Sequence, residues 1–278
     1  MMQKIPKLAI LPVDKLRFHE IHDDQRTPSL IENFRSTGVL RNPPIVTPIP
    51  DAFGLHAILD GANRLNAFQQ MGMPHILVQV VEHNNPNLSL NSWNHVIVEL
   101  SGKNLHECIH SVPRTKLIPC KPERGYQDLS NRKAVALIHT VEKNMYSVHP
   151  LSENLEECVE ILFRVVNSYY CQACVERTYL SDIHTIMETY PEMKGLVLFP
   201  RFDIEEILHI VNRGLLLPPG VTRFIVSPRV LQVNYPLEKL ADSLSLEEKN
   251  KDLDEWLHER LCSKKVRYYA ESTFLFDE

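Results

Sequence analysis

The sequence predicts an α+β fold, and three observations lead there. Short apolar runs alternate with amphipathic helix patterns from residue 1 to about residue 85. A turn-forming cluster, Asn84-Asn85-Pro86-Asn87, closes that stretch. Beyond it, strand-like and helix-like segments follow without regular alternation, as in a separate mixed α/β domain. The expected division is residues 1–85 and residues 86–278.

The elements follow in order. Leu8-Ala9-Ile10-Leu11 opens as a strand. Thr27 as N-cap, Pro28 at the first helical position and Gly38 past the end delimit a helix with Leu30, Ile31 and Phe34 on one face. Pro44-Ile45-Val46-Thr47 is strand-like. Ala57-Ile58-Leu59 runs into Asp60-Gly61-Ala62-Asn63-Arg64, and a helix pattern of Leu65, Phe68 and Met71 stops at Gly72. Ile76 to Val81 gives another strand. In the second part, Ser101 to Leu129 reads as a polar connection without clear periodicity, interrupted by Pro113, Pro119 and Pro122. Ala134 to Val141 is either a helix or a buried strand. Ser152 is placed to cap a helix carrying Leu155, Val159, Leu162 and Val166. Asp203-x-x-Glu206 and Ser245-x-x-Glu248 are capping-box patterns, each ahead of an apolar helical face. Val221 to Val226 and Val230 to Val233 read as strands.

A chain of 278 residues with 44% hydrophobic and 23% charged residues has the composition of a globular protein with a sizeable core. The net charge of −5 argues against a general nucleic-acid binder, whose footprint is basic. No apolar run approaches the roughly 20 residues needed to cross a bilayer, and Met1 to Pro6 lacks a signal-peptide core. The expectation is a cytoplasmic protein. Six cysteines are too few for a disulfide scaffold of this size, and Cys171-x-x-Cys174 has no second pair to complete a zinc site. Those two cysteines are expected in a packed element.

The stretch from Asp60 to Arg64 carries the most chemistry. A strand that turns through Gly61 into a helix aims backbone N–H groups and the positive end of the helix dipole at the turn, which suits phosphate. Arg64 adds a fork of donors. The stretch is neither a Walker A loop nor Gly-x-Gly-x-x-Gly. An ordinary tight turn is the competing reading.

The order of strand, helix, strand, Asp-Gly-x-x-Arg turn and helix resembles the ParB/sulfiredoxin fold. Ala62 stands where sulfiredoxins carry their reactive cysteine, so their chemistry is excluded. Four pieces resemble, more narrowly, the free L-serine kinases of that fold, in particular the siderophore-pathway type. They are His19-Glu20, Asp60 to Arg64, Ser92-Trp93-Asn94-His95 and Pro219-Gly220-Val221-Thr222-Arg223-Phe224, with Ser168 to Arg177 similar to the family's middle. Asn63 replaces the histidine often found in the turn, so an acid role at that residue falls away.

The resemblance implies an N-terminal ParB/sulfiredoxin-like nucleotide domain, with a C-terminal domain completing the serine site. It implies transfer of the terminal phosphoryl group of ATP, or of ADP, to free L-serine with Mg²⁺. The product, O-phospho-L-serine, would feed siderophore precursor or cysteine-type synthesis. Glu20 becomes the candidate general base, against a solvated polar loop. His19, Glu20, His22 and Asp23 have spacings that match no closed metal site. Asp60 becomes a candidate catalytic residue and Mg²⁺ ligand, against a plain turn-former. Gly61, Ala62, Asn63 and Arg64 would hold the nucleotide. Thr222 and Arg223 would take the serine carboxylate. Trp93 and His95 would wall the pocket, against core packing and a surface histidine. Two other readings are a ParB-like regulator that binds nucleotide and DNA without turnover, and a binding module with a dead kinase site. The first lacks a strongly basic helix outside Lys264 to Arg267. Intact Glu20, Asp60 and Arg64 argue against the second.

Overall fold

Central strands buried on both faces build two larger sheets in the computed structural model, which describes residues 5–22, 26–152 and 154–271. The chain opens with β1 (Leu8–Pro12) and β2 (Leu16–Arg17), then α1 (Thr27–Thr37), β3 (Val39–Leu40), β4 (Ile45–Pro48), β5 (His56–Asp60), α2 (Ala62–Gln70) and β6 (His75–Val80). It continues through β7 (Leu88–Ser92), β8 (Asn94–Leu100), α3 (Leu105–His110), β9 (Thr115–Pro119), α4 (Pro122–Ser130), β10 (Ala136–Thr140) and β11 (Met145–Pro150). After α5 (Leu155–Tyr170) come β12 (Ala173–Thr178), α6 (Ile183–Thr189), β13 (Gly195–Leu198), α7 (Ile204–Asn212) and β14 (Thr222–Val226). β15 (Tyr235–Pro236), α8 (Leu237–Ala241) and α9 (Leu246–Cys262) follow.

The first sheet runs β1-β6-β4-β5-β2 and mixes antiparallel with parallel neighbours. The second, β12-β8-β13-β10-β11-β9, is antiparallel throughout. Its period of two is explicit: Ile97, Ala136, Ile138 and Val197 enter the core with α3, α5 and α7, while Val96, Leu137, Leu196 and Leu198 enter the opposite core with Ile183 and Ile186 of α6. The architecture is therefore mixed α/β. Among the described residues no helix is long and apolar enough to cross a membrane.

The end of the chain returns to the first sheet. Val233, Tyr235, Leu237, Leu240 and Leu253 share one core with Ile10, Ile58, Phe68 and Leu77. On α9, Asn250 Oδ1 accepts from Ile10 N at 2.9 Å and its Nδ2 donates to Ile10 O at 3.0 Å. A side chain thus occupies backbone groups that edge strand β1 would otherwise expose. Lys249, 1% exposed, is buried beside it and donates to Leu240 O at 2.7 Å and Asp242 O at 2.9 Å.

Local expectations are met at several ends. Gly38 adopts φ 68° after α1, and both capping boxes form, Asp203 with Glu206 and Ser245 with Glu248. Others are corrected. Thr27 is the first residue of α1 rather than its cap, because its hydroxyl accepts from Asn66 Nδ2 at 3.0 Å and so ties α1 to α2. Asn154, not Ser152, caps α5 through Glu156 N and Glu157 N. The stretch from residue 101 to 129 holds α3, β9 and α4, with Asn104 and Glu107 forming a capping box. Within residues 134–141, Ala136–Thr140 form a strand, β10, between β11 and β13. Val230 to Val233 is not a strand: Val230 N donates to Gln79 Oε1, Gln232 N to Asn42 Oδ1 and Val233 N to Arg41 O. Cys171 and Cys174 are exposed, at the end of α5 and on β12, rather than packed.

Candidate functional site

Leu217 pins the segment after β2: Leu217 N donates to His19 O at 2.9 Å and Ile21 N to Leu217 O at 3.0 Å. This holds Glu20 against the turn before β14. Its carboxylate accepts from Gly220 N, from Thr222 N at 3.1 Å and from Thr222 Oγ1 at 2.5 Å. Gly220 has φ +74°, and a Cβ there would run into the Arg177 guanidinium, so glycine is required twice over. The neighbouring His19 is buried, with Nδ1 2.5 Å from Ile58 O and Nε2 2.7 Å from Thr222 Oγ1. Ile58 lies on β5, two residues before Asp60. Glu20 and the Asp60 turn are therefore joined through His19.

At that turn Gly61 takes φ 96°, ψ 26° and precedes α2 with no side-chain cap. The first-turn N–H groups of α2 have no intrahelical acceptor by geometry and point out of the helix start. A Cβ on Gly61 would approach Arg64 Nη2 and Pro44 Cβ to 2.9 Å. Asp60 Oδ2 accepts from Arg64 Nη2 at 2.8 Å and from Arg229 Nη2 at 2.5 Å, while Arg64 Nη1 donates to Asn42 O at 2.8 Å. The carboxylate is 41% exposed, so it stays open to ligands. Arg229 is held near by buried Gln79, whose Nε2 donates to Pro228 O at 2.9 Å and whose Oε1 accepts from Val230 N at 2.9 Å.

β14 pairs with β7, with Thr222 opposite Ser92 and Arg223 opposite Asn91. Arg223 Cζ sits 4.6 Å from the Trp93 ring centroid and 5.0 Å from that of Tyr179. Trp93 and Arg223 are thus brought together, and Thr222 contacts Glu20.

His95 is placed differently from both sequence readings. It is neither a pocket wall nor a surface residue, being 0% exposed. Its Nε2 donates to Gly220 O at 2.9 Å and its Nδ1 accepts from Tyr169 Oη at 2.8 Å. It therefore stiffens the turn that holds Glu20. Burial, with the Arg177 charge, lowers its pKa from 6.5 to about 4, against the opposing pull of the Gly220 hydrogen bond. The unfolded chain protonates this ring near its ordinary value and the folded chain only near 4. The contribution is thus complete above pH 6.5 and is lost as pH falls towards 4, about 3 kcal/mol in all. Denaturant titrations from pH 7 to pH 4 should show stability falling, with His95→Gln falling less. Parallel curves for the two proteins would contradict this.

Sequence reasoning missed Arg229, Tyr179 and Gln79, and marked Arg177 only as the end of a segment similar to the family's middle. Each approaches the site from a distant part of the chain and carries no local signal. His19 was readable only as a neighbour of Glu20 in a motif and as a member of a ligand set whose spacing matches no closed metal site. Asp23 lies outside the described residues, and among those described no group of three or more His, Cys, Asp or Glu is placed to hold a metal.

This geometry has relatives. An ATP-dependent L-serine kinase, SbnI of Staphylococcus aureus, is 23% identical over 274 residues, covering 98% of this chain and 97% of its own. The chain matches ATP-dependent L-serine kinases over 85% to 98% of its length. Another, from Staphylothermus marinus, is 25% identical over 250 residues, with 85% of this chain and 96% of its own covered. Among solved structures, C-terminally truncated SbnI from Staphylococcus aureus superposes with TM-score 0.72 at 21% identity, over 91% of this chain and 97% of that one. A free serine kinase in complex with AMP gives TM-score 0.68 at 15% identity, over 86% and 95%. These likenesses establish a shared fold. No protein-family model matches the chain.

Proposed function

We propose that this protein is a free L-serine kinase that transfers the terminal phosphoryl group of ATP, or of ADP, to the serine hydroxyl. The observation that carries this reading is the junction of Glu20 with the Asp60 turn through His19, Thr222 and Ile58 O. Phosphoryl transfer needs a proton acceptor and a phosphate-holding element, roles that Glu20 and the helix start after Asp60 would fill. The similarity to L-serine kinases over 85% to 98% of the chain supports it.

The N-terminal turn of α2 holds the phosphates through the backbone of Gly61, Ala62 and Asn63, with Arg64 alongside. Glu20 takes the hydroxyl proton as serine oxygen bonds to phosphorus and the bridging oxygen leaves with the nucleotide. Mg²⁺ binding requires only one or two carboxylates beside phosphate oxygens. Asp60, exposed and with one oxygen engaged by Arg64 and Arg229, fits as the protein's ligand. That ion supplies charge neutralisation on the polyphosphate. Residues 1–85 would form the ParB/sulfiredoxin-like nucleotide unit, supported by the order β4, β5, α2, β6, and residues 86–278 would complete the serine site, apart from Val233 to Leu253, which pack into the core of the first sheet. Use of a nucleotide and a free amino acid fits the cytoplasm. The phosphate ester makes serine's oxygen a better leaving group, which suits a product consumed by replacement at the serine β-carbon in siderophore precursor or cysteine-type synthesis.

Arg223 is assigned to the serine carboxylate. A guanidinium lying over aromatic rings keeps its N–H edge free for bidentate pairing. Arg223→Lys should raise the serine KM tenfold or more, since a charged hydrogen bond of this type is worth roughly 1.5–3 kcal/mol, and should leave nucleotide affinity unchanged. Serine amide should be a poor substrate of the parent and lose little further in the variant. An unchanged serine KM in a folded Arg223→Lys protein would retire the assignment.

A further inference from the structure

Thr222 Oγ1 lies between two groups that both want its hydrogen. Ile58 O can only accept, so His19 Nδ1 carries a proton and donates to it at 2.5 Å. A neutral His19 then has a bare Nε2, 2.7 Å from Thr222 Oγ1. On its other side the same hydroxyl lies 2.5 Å from Glu20 Oε2. One hydroxyl hydrogen cannot serve two acceptors. Both contacts become hydrogen bonds only when the three residues hold one more proton than neutral histidine plus carboxylate. The geometry fits the state reached after a base has accepted a proton.

We infer that His19, Thr222 and Glu20 form a proton relay in which Glu20 takes the proton of the acceptor hydroxyl and His19 stores it. This deepens the kinase reading and rests on it. As the substrate O–H bond breaks, an O–H bond forms on Glu20. That bond breaks in turn as the hydrogen passes to Thr222 Oγ1, while the Thr222 hydrogen bonds to His19 Nε2. No electrons change hands, and the products are a carboxylate ready for another proton and an imidazolium. Histidine is the side chain suited to such shuttling. Burial lowers the His19 pKa, opposed by the nearby Glu20 charge and the Ile58 hydrogen bond, and more weakly by Asp60. The ring is thus empty before the reaction and is steadied by charge once filled. Glu20, whose Oε2 lies 3.9 Å from Nε2, and Asp60 at the end of β5 are the charges that reach it, while the Phe224 ring meets it edge-on at 5.2 Å.

The role of His19 is exerted through Thr222, so the test reads protonation directly. In the full chain labelled with ¹⁵N-histidine, the His19 signals are assigned by their loss in His19→Asn and followed against pH. The His19 midpoint should fall by roughly 1 pH unit or more in Glu20→Gln. It should also fall in Thr222→Val, where Glu20 is intact but the bridge is cut, and recover in Thr222→Ser. Turnover should drop at least about tenfold in Thr222→Val, with nucleotide affinity kept, and recover in Thr222→Ser. A His19 midpoint that is the same in parent and Thr222→Val overturns the relay. Should Thr222→Val fail to fold, Thr222→Ala carries the same comparison. The titration needs no substrate, so a parent that makes no phosphoserine defeats the kinase reading alone.

Discussion

Glu20→Gln should bind nucleotide as the parent does and turn over at least roughly 10²-fold more slowly. The amide keeps the shape of the side chain, and its one oxygen can accept from Gly220 N or from Thr222 N but not from both, because the two donors reach different carboxylate oxygens. What it loses is a place for the serine proton. A hydroxyl is a weak nucleophile unless its proton departs as the new bond forms, which is why the effect falls on turnover rather than binding. Single-turnover kinetics with saturating nucleotide separates the two quantities. Near-parental turnover would remove Glu20 from the base role and leave it as the residue that ties the segment after β2 to the turn before β14.

Arg64→Ala should weaken nucleotide binding by about 1.5–3 kcal/mol, the worth of a hydrogen bond to a charged group. The fall should be much smaller for serine. Arg64 already donates to Asp60 and to Asn42 O, so the same substitution also loosens the turn and should lower the melting temperature. Calorimetric titration with ADP isolates the binding term. An unchanged nucleotide affinity beside a lower melting temperature would make Arg64 a clamp for the turn and nothing more.

The parts of this fold that the sequence showed are those decided locally. The turn from β5 into α2 was readable because only a residue such as Gly61 accepts φ 96° ahead of a helix. The capping boxes at Asp203 and Ser245 were readable for the same reason, since cap chemistry involves residues three apart. The stretch from 101 to 129 was opaque because α3, β9 and α4 are too short to display a period. The return of α9 to β1 was equally hidden: Asn250 and Ile10 meet across the length of the chain, and Asn250 looks like any polar residue on a helix.

The site divides in the same way. Glu20, Asp60 and Arg64 stood out through a turn and a family resemblance, but their neighbours did not. The sequence reads His95 as facing ligand or solvent, whereas it is a buried strut under Gly220. Thr222 was assigned to the serine carboxylate, and in the structure its hydroxyl is engaged by Glu20 and His19. Arg229 reaches Asp60 because Gln79 fixes the backbone on either side of it, a long-range arrangement that no spacing reveals.

The central claim is tested most directly by incubating the purified protein with L-serine, Mg²⁺ and either ATP or ADP, and following phosphorus by ³¹P NMR. The expected result is a phosphomonoester signal matching O-phospho-L-serine, with stoichiometric loss of the terminal phosphoryl group from one of the two nucleotides. It should be absent when L-serine is omitted. A folded, nucleotide-binding protein that forms no phosphoserine from either donor would contradict the account.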